Sequence, residues 1–122
     1  MQNISTGKLG EQMAAAYLEK AGYRILEQNY RCRFGEIDIV AKDGDTIVFV
    51  EVKSRRSENY GLPQLAVGHE KQRRISKISL YYLQTHCFYC SNARFDVVAV
   101  SLRAENSHIE LIKDAFELAY GR

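Results

Sequence analysis

The sequence predicts an α/β fold, a mixed β-sheet flanked by helices in the order α-β-β-β-α-β with one further short strand. Three observations predict it. Two stretches with apolar residues at helical spacing, one near the N-terminus and one beyond residue 70, bracket a block of β-rich runs. Inside that block, Lys42-Asp43-Gly44-Asp45 separates two apolar runs. Asp-Gly is a strong hairpin signal because it accepts the positive φ of a type I′ turn. The run that follows, Thr46 to Lys53 (TIVFVEVK), is apolar at consecutive positions until Glu51, as in a central strand covered on both faces.

Each element has its own signal. Ser5 or Thr6 caps a first helix, in which Leu9, Met13, Ala14, Tyr17 and Leu18 share about half the circumference at roughly 100° per residue. Gly22 is the C-terminal glycine that stops it. Tyr23 to Tyr30 reads as the first strand, Phe34 to Ala41 as the second and Thr46 to Lys53 as the third. Residues 54 to 67 form a loop punctuated by Gly61 and Pro63, with Gly68 behind it. Ile75, Ile78, Leu80, Tyr82 and Leu83 mark a second helix from about Glu70 to His86. Phe95 to Leu102 is the fourth strand, Ile109 to Ile112 a short edge strand, and Ala115 to Ala119 a terminal helical turn.

Composition excludes several classes. A chain of 122 residues has room for one domain, 1–122. With 46% hydrophobic and 26% charged residues it is neither disordered nor highly charged, and 8 glycines with 1 proline exclude a fibrous repeat. No run approaches the roughly 20 apolar residues of a membrane span, and MQNISTGKLG lacks the basic flank and apolar core of a signal peptide. Three cysteines, an odd number, fit a reducing compartment, so the expected location is cytoplasmic with no membrane partner. The net charge of +2 does not by itself indicate nucleic acid, but its distribution does. Arg55, Arg56, Lys71, Arg73, Arg74 and Lys77 lie in a stretch whose acids are Glu58 and Glu70 alone.

The chemistry concentrates in Gly35-Glu36-Ile37-Asp38, Glu51-Val52-Lys53 and Glu11. Glu51 and Lys53, two apart on a strand, point to one face about 6.6–6.8 Å apart along the chain. Pairing about the Asp43-Gly44 turn brings Asp38 within one residue of the level of Glu51, and facing residues of a hairpin lie about 4.5–5.5 Å apart at Cβ. A carboxylate at Glu51, inside an apolar run, is costly unless it is paired or binds a metal. Two converging carboxylates repel each other, and a hard divalent cation removes the repulsion. Mg²⁺ or Mn²⁺ fits oxygen ligands and retains water. Metal-bound water with Lys53 beside it would hydrolyse a phosphodiester. The alternative is an exposed ion pair, Glu51 with Lys53 or Asp38 with Arg33, worth little.

The linked motifs Gly10-Glu11, Gly35-Glu36-Ile37-Asp38 and Phe49-Val50-Glu51-Val52-Lys53 resemble the PD-(D/E)xK nuclease superfamily, most closely its Holliday-junction-resolvase branch. Through GKLGE, YLEKAGYRILEQNYRCRFGEIDIVAKDGDTIVFVEVKSRR and RFDVVAV, the chain resembles the small bacterial YraN family over nearly its whole length. The resemblance implies a restriction-endonuclease-like α-β-β-β-α-β core, Asp38 and Glu51 as metal ligands, Lys53 as the catalytic lysine and Glu11 as the helix glutamate that completes the metal site. The alternative for Glu11 is a first-turn acid favoured by the helix dipole.

The basic segment is the expected nucleic-acid surface, DNA ahead of RNA. Arg55 and Arg56 would flank the scissile phosphate, and Lys71, Arg73, Arg74 and Lys77 would bind backbone from the second helix without reading sequence. Their alternative is a solvated helix face. Gln64 reads as a loop residue, with a place near the site as its alternative; Tyr60, Tyr81, Tyr82 and Tyr89 read as core residues, with stacking on bases as theirs. Cys87, Cys90 and Cys32 read as ordinary thiols, because zinc needs a second ligand pair, with a Cys87–Cys90 redox link as the alternative. Three functions compete: a metal-dependent nuclease, with a homodimer if two strands are cut; a nucleic-acid-binding module without turnover; and a protein-interaction adaptor whose acidic cluster is structural.

Overall fold

The computed structural model describes residues 5–55, 67–86, 92–102 and 107–117. Helix α1 spans Thr6–Lys20 and is followed by β1 (Arg24–Cys32), β2 (Gly35–Asp43) and β3 (Thr46–Arg55). Helix α2 (His69–Thr85) then crosses to β4 (Asn92–Ser101), and β5 (His108–Phe116) comes last. The five strands form one sheet in the order β1-β2-β3-β4-β5. All neighbours are antiparallel except β3 and β4, which run parallel because α2 carries the chain back across the sheet. This is the predicted α-β-β-β-α-β order with β5 added at the edge.

The helix ends follow their local chemistry. Ser5 Oγ accepts the Lys8 N–H at 3.2 Å and caps α1. Gly22, at φ +98°, takes the left-handed conformation that closes its C-terminus. Glu11 lies beyond the first turn of a helix that begins at Thr6, so the dipole does not account for it.

Strand β3 is the centre of the molecule, and its alternating side chains feed two cores. Val48 and Val50 join Ala14, Leu18, Ile39, Val98 and Val100 under α1. Ile47 and Phe49 join Val40, Ile75, Ile78, Tyr82, Phe95 and Val97 under α2. Burial on both faces explains why this strand reads as a continuous apolar run.

Two local expectations are corrected. The β2–β3 hairpin closes at Asp43↔Thr46, so its loop is Gly44-Asp45. Gly44 has φ +61° while Asp45 is not among the left-handed residues, which is the pattern of a type II′ turn rather than type I′. The predicted helical turn at Ala115 to Ala119 is also overturned as far as it is described. Ala115 and Phe116 belong to β5, with Phe116 opposite Phe95 and stacked on it at 4.8 Å. A bulge between Phe95 and Val97, with Asp114 at φ 54°, keeps this edge strand in register beyond its predicted end at Ile112. That register rests on pairing with β4, which local sequence does not display.

Candidate active site

The pairs that hold β2 to β3 run from Asp43↔Thr46 to Ile39↔Val50 and stop there. The next opposing residues are Asp38 and Glu51, inside the one-residue margin expected from the sequence. Instead of continuing the ladder, Asp38 Oδ2 accepts the Val52 N–H at 2.8 Å. The carboxylate thus fills the gap where the strands part, and a backbone donor fixes it there.

Glu51 is 4% exposed, so an exposed ion pair does not describe it. Its Oε2 accepts from Lys71 Nζ, on the first turns of α2, at 2.9 Å. Burial and then the nearby Asp38 charge push the Glu51 carboxyl above its ordinary value, while Lys71 pulls it down. Burial likewise raises Asp38, against the opposing effects of the Val52 N–H and Lys71.

Lys53 follows two residues after Glu51 on the same face of β3. Burial, and then a hydrogen bond and charge repulsion from Lys71, hold its ammonium below the ordinary lysine value. For Lys71, burial works against the charged form, but hydrogen bonds to Lys53 and Glu51 outweigh it and hold the group up. The two amines are therefore unequal: the surroundings favour the charged form of Lys71 and disfavour that of Lys53.

Glu11 approaches from the α1 side, raised by burial and then by the charge of Asp38. It reaches the site because Gly10 lies against β3: a Cβ there would fall on Ser54 Oγ and 2.8 Å from Ser54 Cβ. Asn29 of β1, at φ 54°, bridges the acids. With its amide oriented to satisfy both contacts, Asn29 Nδ2 donates to Glu11 Oε1 at 2.9 Å and to Glu36 Oε1 at 3.0 Å. Arg31 Nε holds the other Glu36 oxygen at 2.9 Å.

Sequence reading missed Asn29, gave Glu36 no role of its own within the motif, and placed Lys71 on the outer binding surface. Asn29 carries no local signal, since only its left-handed backbone and the cross-strand acids give it a role. Lys71 carries a weak one: it lies four and seven residues before Ile75 and Ile78, on the packed stripe of α2.

The other predicted cations separate from Lys71. Arg55 ends β3 beside Ser101, and its carbonyl accepts the Leu102 N–H at 2.8 Å. Arg73, Arg74 and Lys77 line a cavity farther along α2. Arg56, Gln64, Tyr60, Tyr89, Cys87 and Cys90 lie outside the described residues. Cys32 is a free thiol.

Among the described residues, no group of three His, Cys, Asp or Glu side chains is gathered tightly enough to cage a metal by itself. The donor set nevertheless fits a small hard cation. Half-buried Asp38 and buried Glu51 offer carboxylate oxygens, burial raises both, the Asp38 charge raises Glu51 further, and Mg²⁺ is commonly held by one or two carboxylates with water completing its shell.

The profile of a family described as "Uncharacterised protein family UPF0102" matches residues 10–100 of the chain. The chain belongs to this family. A UPF0102 protein of Syntrophus aciditrophicus (strain SB) is 82% identical over 121 residues, covering 99% of this chain and 95% of that relative. One from Geobacter sulfurreducens is 56% identical over 119 residues, covering 97% of this chain and 93% of that relative.

Two solved structures are also similar. One is an EndoMS–dsDNA complex, with TM-score 0.47 and 24% identity, covering 85% of this chain and 40% of that one. The other is a repair endonuclease from Pyrococcus abyssi, with TM-score 0.42 and 20% identity, covering 86% of this chain and 42% of that one. The chain spans about two fifths of each of those proteins. Among the described residues, no helix is long and apolar enough to cross a membrane.

Proposed function

We propose that this chain is a metal-dependent nuclease that hydrolyses phosphodiester bonds in nucleic acid, DNA ahead of RNA, with Mg²⁺ or Mn²⁺ as its cofactor. One observation carries the reading. Two carboxylates, half-buried Asp38 and buried Glu51, converge with Lys53 and Lys71 where β2 and β3 part, beside a basic helix. Asp38 and Glu51 would hold the ion, and Glu11 would complete its shell through water. When bound, the metal polarises a phosphoryl oxygen and acidifies a water.

The chain's own groups do the rest. Lys53, held below its ordinary value, takes the proton of the attacking water as its oxygen bonds to phosphorus and the bond to the leaving oxygen breaks. Lys71 remains charged and compensates negative charge at the phosphate. Arg55 and Arg56 follow directly from the strand of Glu51 and Lys53 and would grip the flanking backbone. Cutting both strands of a duplex requires two copies of the site, hence a homodimer.

A second reading, a binding module without turnover, draws support from the Lys71–Glu51 ion pair, in which an internal cation already holds one ligand oxygen. A cleavage panel decides between them: linear, nicked, flapped and four-way DNA with single-stranded RNA, each in Mg²⁺, Mn²⁺ or EDTA. Metal-dependent cutting that disappears in Glu51→Ala and Lys53→Ala is the expected result. Salt-sensitive binding without cutting would move the assignment to the binding module. Neither cutting nor binding would leave the protein-interaction adaptor.

A further inference from the structure

Between the β1–β2 turn and the early turns of α2 lies a cavity of about 520 Å³, lined by Arg33, Phe34, Glu70, Arg73, Arg74 and Lys77. Its size lies within the roughly 300–1,000 Å³ range of small-ligand sites. Cations outnumber the acid four to one. Phe34 forms an aromatic wall, with the Arg33 guanidinium 4.9 Å from its ring centroid. Tyr81 meets the same ring edge-on at 5.9 Å and braces it from α2.

The turn closes against the helix because Gly35 has φ +136° and no side chain. A Cβ there would lie 3.2 Å from both Arg74 Cδ and Ile78 Cδ1. The cavity adjoins the carboxylate site along α2: Arg74 follows Lys71 by three residues, a rise of about 4.5 Å, and Lys71 is bonded to Glu51.

We propose that this cavity binds one unpaired nucleotide of a DNA strand, its base against the Phe34–Arg33 stack and its phosphate among Arg73, Arg74 and Lys77. This rests on the nucleic-acid reading of the neighbouring site and adds the structural class of substrate. Cations alone serve any phosphate backbone and need no ring beside them. An aromatic face joined to a guanidinium offers what a base needs, since stacking accepts every base. A base inside a duplex is already stacked and cannot reach Phe34, so the site selects single strands, flaps or unpaired ends over blunt duplex.

The test is binding in EDTA, where turnover plays no part. Fluorescence anisotropy would compare a short thymidine oligomer with an abasic oligomer of equal length, which keeps the phosphates and lacks bases. The wild type is expected to prefer the thymidine oligomer at least fivefold. Phe34→Ala should remove that preference with a loss of about five- to hundredfold. Phe34→Leu, which keeps an apolar contact for Tyr81, should remove it too, and Phe34→Tyr should retain it. Arg74→Gln should weaken both oligomers alike and reduce the salt slope by roughly 0.7.

Equal binding of the two oligomers by the wild type, or a preference that survives in Phe34→Leu, overturns the nucleotide site. If Mg²⁺-dependent cutting persists alongside either result, the nuclease reading stands and the cavity assignment alone falls. If the wild type binds no DNA at low salt, both fall.

Discussion

Glu51 concentrates the physical tension of the molecule in one side chain. It is buried, it faces Asp38, and both effects push its carboxyl above its ordinary value of 4.5. A folded-state value above the unfolded one favours the fold only while the group is protonated. That contribution is complete below the unfolded value and is lost as pH rises through the folded value. In metal-free protein, ionisation of Glu51 therefore works against the fold. Glu51→Gln should abolish metal-dependent cleavage yet stabilise the apo-protein by about 0.5–2 kcal/mol, read from urea denaturation in EDTA. Adding Mg²⁺ should restore the order, since the wild type gains about 2.7 kcal/mol at a metal concentration 100 times Kd and the Gln variant gains little. A Gln variant less stable than wild type in EDTA would contradict this account. Lys71 sets the complementary effect. Without its ammonium, Glu51 loses the stronger of the two lysines that lower its pKa, so Lys71→Ala should move the rising limb of the pH–cleavage profile to higher pH. An unmoved limb would show that Lys71 does not govern the ionisation of Glu51.

At the scale of elements, the site depends on how closely α1 approaches β3 and on where β2 leaves it. Gly10 permits the first. Gly10→Ala sets a methyl on Ser54, which must push the helix outward, and should cost about 1–3 kcal/mol by thermal or chemical unfolding. The same displacement withdraws Glu11, so cleavage should fall more than the stability loss explains when assayed well below the unfolding midpoint. If rate and stability fall together, Glu11 has no part in the site. The hairpin was legible because Gly44 is indispensable to a tight two-residue turn, and the turn set the register of Asp38 with Glu51. The parting of the strands at that level was not legible: it arises from the Asp38–Val52 hydrogen bond and from Asn29, at φ 54°, on the neighbouring strand. The length of β5 was hidden for a similar reason, since His108–Phe116 is short of apolar alternation and is held by its pairing with β4.

Across the whole molecule, a second polar network fastens four strands on the α1 face, away from Glu51. Asp96 is fully buried and accepts from Tyr23 Oη at 3.1 Å, Arg94 Nε at 2.9 Å and the Asp114 N–H at 2.9 Å. Arg94 Nη2 also donates to Asp43 Oδ2 at 3.0 Å. Tyr23, just ahead of β1, is thus tied to β4 and β5 through the Asp96 carboxylate, and the end of β2 joins them through Arg94. Burial, then the charge of Asp96, drives the Tyr23 hydroxyl far above its ordinary value, so it stays neutral and donates. Asp96→Ala leaves the arginine, the hydroxyl and a backbone N–H without this acceptor and should cost about 3–5 kcal/mol in urea denaturation. The Mg²⁺-induced shift in Tm should survive in the folded fraction, because the proposed metal ligands Asp38 and Glu51 are untouched. A cost under 1 kcal/mol would mean that the network is dispensable.

The sequence by itself determined the order of the elements, the central position of β3, the Gly44 turn and the placing of Asp38 within one residue of the level of Glu51. Each follows from short-range rules: helical and strand periodicity, capping, and the fixed two-residue alternation of a strand. Tertiary structure decided which cation meets which carboxylate. Lys71 and Arg74 differ by three positions on one helix, yet one is bonded to buried Glu51 and the other lines an open cavity with Phe34. The direction of a long side chain is set by what packs opposite it. The groups opposite α2, Glu51 and the Phe34 turn, are brought there only when β1, β2 and β3 have assembled.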